Sequence, residues 1–181
     1  MTPALVLIDI QNDYFPQGAM EWVDMTRAVD DAAQLLAQFR ARGAPIVPIQ
    51  HLSVRPESTF FLPGTHGAEH HASVQPTGGE AVVPKNFPNS FRASALQETL
   101  QTAVVDALVI VGAMSHMCID ATTRAAFDLG YQCSVAADAC ATRNLVFNAQ
   151  TIAAAHVHGA FMAALSAPYA RVASTAELLS A

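Results

Sequence analysis

Three residues of this chain are of the types a hydrolytic site needs: Asp9, Lys85 and Cys118. A cysteine becomes a nucleophile once its thiol proton leaves, a carboxylate can take that proton, and an ammonium favours the resulting anion. Each stands beyond a segment that reads as a β-strand: Asp9 after residues 4–8, Lys85 after 81–83, and Cys118 past the run that closes at Gly112. Open parallel sheets bind ligands at the carboxyl ends of their strands, so all three are expected at one edge. Cys118 also opens a helical pattern, where free backbone N–H groups and the helix dipole lower a thiol pKa. Singly, each has an ordinary explanation as a turn residue, a solvated lysine or a small buried thiol. Their joint placement is what points to chemistry.

The elements that must position them follow from hydrophobic pattern. Apolar runs at 4–8, 45–50, 81–83, 107–112, 132–136 and 171–174 read as strands, and the first, second and fourth are apolar nearly throughout, as strands covered on both faces are. Residues 26–42 put Val29, Ala32, Ala33, Leu36 and Phe39 on one helical stripe, ended by Gly43 and Pro45. Residues 94–102, 118–129 and the alanine-rich 148–165 read as further helices, and another starts at Thr175. Strands alternating with helices predict an α/β fold with a parallel sheet covered on both sides. Residues 52–80, rich in Pro and Gly, are irregular and are expected to wall the site or meet another subunit.

The 181 residues fit a single domain spanning 1–181. Nine Lys and Arg against a net charge of −6 exclude a phosphate-binding surface, so no nucleic acid is expected. No apolar stretch is long enough for a membrane span, and the N-terminus lacks the features of an export signal. Three cysteines do not make a disulfide framework, and the expected location is the cytoplasm. At 52% apolar residues and a mean hydropathy of +0.28, the surface is expected to keep apolar patches that a homodimer or homotetramer would cover.

The segments around the three residues resemble the isochorismatase-like cysteine hydrolases. The similarity rests on Leu7-Ile8-Asp9-Ile10-Gln11-Asn12-Asp13-Tyr14-Phe15, on Val83-Pro84-Lys85 through Phe91, and on Gly112-Ala113-Met114-Ser115-His116-Met117-Cys118, followed by Gly130-Tyr131 and Asp138. It runs in order from Leu5 to about Arg143. That family includes nicotinamidases, carbamoylsarcosine amidases, ureidoacrylate and biuret hydrolases, and isochorismatases. The resemblance implies a three-layer α/β/α, Rossmann-like fold with a six-stranded parallel sheet, and Asp9, Lys85 and Cys118 as the catalytic set. It also implies a cis peptide at Ala113-Met114 and an oxyanion hole from the N–H groups of Met114 and Cys118. A cysteine nucleophile favours hydrolysis of a C–N bond in a small amide, ureido or carbamoyl substrate through a thioester.

Around this set, Gln11, Phe15, Phe91 and His116 are expected to line the substrate pocket, Gln11 because it lies two residues beyond Asp9 on a continuing strand. Trp22 is more simply read as packing, and Cys133 and Cys140 as inert thiols. Metal-binding relatives carry an Asp-x-His pair after strand two, which Gln50-His51-Leu52-Ser53 lacks, so neither a metal nor any other cofactor is expected. His66, His70 and His71 could still gather an ion with His51, whereas His156 and His158 face different sides of a helix. Three rivals to the amidohydrolase reading are a metal-containing nicotinamidase, a non-catalytic protein on the same fold, and a thiol redox sensor built on Cys118.

Overall fold

The computed structural model describes residues 2–22 and 24–180. Strand β1 (Pro3–Ile8) leads into helix α1 (Met25–Ala41) and returns as β2 (Ile46–His51). After the irregular segment come β3 (Val83–Lys85), α2 (Leu96–Thr102) and β4 (Ala107–Ala113). A single π-turn (Ser115–Ile119) then runs straight into α3 (Asp120–Asp128), followed by β5 (Gln132–Ala141). A hairpin of β6 (Leu145–Phe147) and β7 (Gln150–Ile152) precedes α4 (Ala154–Leu165), β8 (Arg171–Ala173) and α5 (Thr175–Leu179).

Six strands form one parallel sheet in the order β3-β2-β1-β4-β5-β8. Strand β1 lies at its centre, and Ala4, Leu5, Val6 and Ile8 are wholly buried because helices cover both faces. Alternate residues feed two cores. Leu5, Leu7 and Val111 pack with Val29, Leu35 and Leu36 of α1, while Val6, Ile8 and Ile110 pack with Leu96, Leu100, Ala126 and Leu165 from α2, α3 and α4. Truncating a leucine such as Leu35 to alanine should cost about 2–5 kcal/mol.

The chain leaves β1 toward β2 on one side and enters β4 on the other, which makes the gap beyond these two strands a natural ligand site. Gly112 lies opposite Ile8 in the register with φ +121°, and a Cβ there would stand 2.0 Å from the Ile8 carbonyl oxygen. Only glycine permits that approach. The following Ala113–Met114 peptide is cis.

Three expectations need correction. Residues 148–165 were expected to be one helix, yet α4 begins at Ala154 and residues 148–149 form the tip of the β6–β7 hairpin. Asn148 and Ala149 both take positive φ (49° and 60°), as a tight two-residue hairpin turn demands, and the alanine content that suggests a helix masks this local signal. Strand β3 lies two residues later than expected, so Lys85 ends the strand rather than following it, and Cys140 falls inside the longer β5.

Candidate active site

Asp9 leaves β1 with φ 54°, a left-handed conformation that aspartate adopts more readily than most residues. Its side chain is fully buried, and Oδ2 accepts a hydrogen bond from Lys85 Nζ at 2.8 Å. Lys85, 1% exposed, is the register partner of His51 on the neighbouring strand, and its Nζ donates to His51 Nδ1 at 3.0 Å. The same ammonium lies 3.1 Å from the Phe87 carbonyl oxygen and 3.4 Å from Cys118 Sγ. Cys118, 4% exposed, is held by the π-turn after β4. The ends of β1, β2, β3 and β4 therefore converge on one ammonium.

Burial pushes the Cys118 thiol up, the negative charge of Asp9 pushes it further, and Lys85 opposes both without cancelling them. Burial and the Asp9 charge thus act against the lowering expected from the helix start. Burial works against the Lys85 ammonium, but the negative charge and hydrogen bond of Asp9 oppose that penalty, and its pKa is raised. Among the described residues, nothing hydrogen-bonds the buried Asp9 Oδ1, an acceptor beside the thiol.

Cys118 opens onto a cavity of about 160 Å³ walled by Tyr14, Phe60, Pro88, Met114 and Met117, with His51, Ser53, Arg55, Ser58 and Asn86 as its polar members. Val54, Arg55, Ser58 and Phe60 come from the irregular segment, as its composition suggested. That segment is pinned at its neck. Ser53 N donates to the Phe61 carbonyl at 2.9 Å, and Phe61 N donates to Asp13 Oδ2 at 2.6 Å. Asp13 Oδ1 accepts from Ala19 N at 3.1 Å, and Gly67 packs so close to this carboxylate that any Cβ would collide with it.

The four residues expected to line the pocket do not line this cavity. Gln11 is fully buried, with Nε2 donating to the His51 and Ala68 carbonyls at 2.9 and 2.8 Å and Oε1 accepting from His51 N at 2.7 Å. Its amide is committed to the protein, because the positive φ at Asp9 ends the strand alternation on which the expectation rested. Phe15 stacks on His71 at 3.8 Å, and the half-buried Phe91 stacks on Tyr131 against a core. His116 turns to Thr142 Oγ1 at 2.6 Å. Tyr14, Phe60 and Met117 stand at the cavity instead. His51 was considered only as an ion ligand. Its position as the last residue of β2, at the same sheet edge as Lys85, is the signal that would have found it.

Among the described residues, Asp9, His51 and Cys118 offer ligand atoms within 4.8 Å of one another, a set that could suit a metal. The Lys85 ammonium already lies among those atoms, within 2.8 to 3.4 Å of each, and a second cation would have to displace it. Among the described residues no other histidine joins this set, His70 included; His66 meets Glu69, His71 stacks on Phe15, and His158 meets Ser115 Oγ.

Residues 3–177 match the isochorismatase domain. The chain belongs to the isochorismatase family of hydrolases. The family protein YddQ of Bacillus subtilis is 49% identical over 179 residues, covering 99% of each chain. A crystal structure described as an isochorismatase hydrolase, from Oleispira antarctica, is 53% identical with a TM-score of 0.96, covering 99% of this chain and 97% of that one. Nicotinamidase 3 of Arabidopsis thaliana is 28% identical over 146 residues, 78% of this chain and 74% of the relative. No helix among the described residues is long and apolar enough to cross a membrane.

Proposed function

We propose that this family member hydrolyses a C–N bond in a small amide, ureido or carbamoyl compound, with Cys118 as nucleophile and a thioester intermediate. The observation that carries the reading is the buried Lys85 ammonium within reach of both Asp9 Oδ2 and Cys118 Sγ, the sulfur itself lining the cavity. Its likeness to a nicotinamidase supports an amide over other carbonyl substrates.

The arrangement suits a proton exchange between two anions of one pair. Lys85 has three N–H bonds and four acceptors: Asp9 Oδ2, His51 Nδ1, the Phe87 carbonyl and Cys118 Sγ. While the thiol is protonated, the three shorter contacts use them. As Asp9 takes the thiol proton, its claim on the ammonium weakens and that hydrogen turns to the thiolate. Sulfur then adds to the substrate carbonyl, whose oxygen gathers negative charge beside the N–H groups of Met114 and Cys118, the proposed oxyanion hole. Asp9 returns its proton to the leaving nitrogen as the C–N bond breaks. Water next attacks the thioester while Asp9 takes one of its protons, and that proton passes to sulfur when the acid departs.

Screening small amides, ureas and carbamoyl compounds for ammonia release tests the proposal. Turnover by the wild type, absent in a folded Cys118→Ala variant, is the expected result. Hydrolysis by that variant near the wild-type rate would overturn it. Cys133→Ala and Cys140→Ala should leave the chemistry in place, because neither thiol lines the cavity.

A further inference from the structure

His51 has a place in this site that the catalytic set does not account for. Lys85 Nζ lies 3.0 Å from its Nδ1, and an ammonium has no lone pair, so Nδ1 must be the acceptor. The imidazole proton is then on Nε2. The backbone of His51 is clamped on both sides by the Gln11 amide, and the Phe61 ring packs 5.9 Å away. The side chain nevertheless lines the same cavity as Cys118. Burial lowers its pKa; the Asp9 charge opposes this, and Lys85 adds to the lowering.

From this geometry we infer that His51 is a substrate-positioning donor: Lys85 fixes it as the neutral Nε2–H tautomer, which presents one N–H to an acceptor next to the scissile carbonyl. This rests on the amide-hydrolase reading and sharpens it. The preferred substrate carries a second hydrogen-bond acceptor, such as a carbonyl oxygen, close to the bond that breaks. One lysine thereby favours the nucleophile's anion and sets the tautomer of the residue that orients the substrate.

Two measurements test the inference. The first reads the tautomer directly, by nitrogen NMR of protein labelled at histidine, with the His51 signals assigned by their loss in His51→Gln. The proton is expected on Nε2 in the wild type, and this preference should weaken in Lys85→Met. A proton on Nδ1, or a doubly protonated ring at neutral pH, would overturn the inference whatever the enzyme's activity. The second compares acetoacetamide with isovaleramide, nearly isosteric amides that differ in the second acceptor. Selectivity is read as kcat/KM, or, if neither turns over, as protection of Cys118 from iodoacetamide. The wild type should favour acetoacetamide by about two- to tenfold, the discrimination one neutral hydrogen bond gives. His51→Phe should lose that preference, and His51→Gln, which keeps an N–H donor, should recover part of it. Equal selectivity in wild type and His51→Phe would overturn the inference. Lack of turnover with protection intact would count against the hydrolase reading alone.

Discussion

Replacing Lys85 with methionine keeps the apolar stem and removes only the charge, which makes it a sharp test of the site. The ammonium lies 3.4 Å from Cys118 Sγ and 2.8 Å from Asp9 Oδ2. At an effective dielectric of about 20, those separations correspond to attractions of about 5 and about 6 kcal/mol for the respective anions. The two values nearly match, so the lysine does little to decide which partner holds the shared negative charge. It decides whether the pair holds one at all. Without it, a buried anion is left uncompensated and the pair takes up a proton. A rise of about two pKa units, about 2.7 kcal/mol and well within those attractions, cuts the thiolate fraction about a hundredfold. We therefore expect Lys85→Met to fold, to lose most activity, and to alkylate at Cys118 about a hundredfold more slowly at neutral pH, recovering as pH rises. Iodoacetamide modification followed by intact mass, across pH, measures this. The same pH profile in both proteins would remove Lys85 from the catalytic set.

Exhaustive chelation should leave activity unchanged, because the Lys85 ammonium already neutralises the site; loss restored by zinc, iron or manganese would revive the metal reading. Glu80 holds its carboxyl at about 2, well below the ordinary 4.5, chiefly because the Arg40 guanidinium donates to it at 2.7 and 2.9 Å. A lowered pKa means stability that is present above pH 4.5 and lost as pH falls toward 2, so Glu80→Gln should cost about 1 kcal/mol at pH 7 by denaturant unfolding. The gap from wild type should close over that acidic window. Sedimentation should show a dimer or tetramer, since Val146, Phe147 and Ile152 of the hairpin are exposed beside an α4 that buries only Val157, Met162 and Leu165; a monomer at micromolar concentration would contradict this.

Strand ends were the legible part of this sequence. Residues buried on both faces announced β1, β2 and β4, and a rule about where parallel sheets bind ligands then singled out Asp9, Lys85 and Cys118. Turns between and beyond the strands were not legible, because their geometry depends on single dihedrals. The positive φ of Asp9 reassigns Gln11 from pocket to scaffold. The short 3-10 turn Asn12–Tyr14 sends Tyr14 to the cavity and lets Phe15 stack on His71, and the π-turn offers Met117 where His116 was expected. The thiol's electrostatics were misjudged for a related reason. A helix start argues for a lowered pKa, but burial beside a carboxylate, which no local pattern encodes, pushes it up.

The pinned neck of the loop beyond β2 bears on how such an enzyme can change its diet. Residues 54–60 hang from Ser53 and Phe61, which close on each other, and the closure is tied to Asp13 rather than to Asp9, Lys85 or Cys118. Length and composition between those two points can vary at small cost, because extending an already closed loop adds little entropy. A segment from one relative could be exchanged for that of another at the same neck while Asp9, Lys85 and Cys118 keep their positions. The cavity wall is in that sense a cartridge, and new substrate ranges are reachable by recombination at two fixed joints instead of by rebuilding the reactive centre.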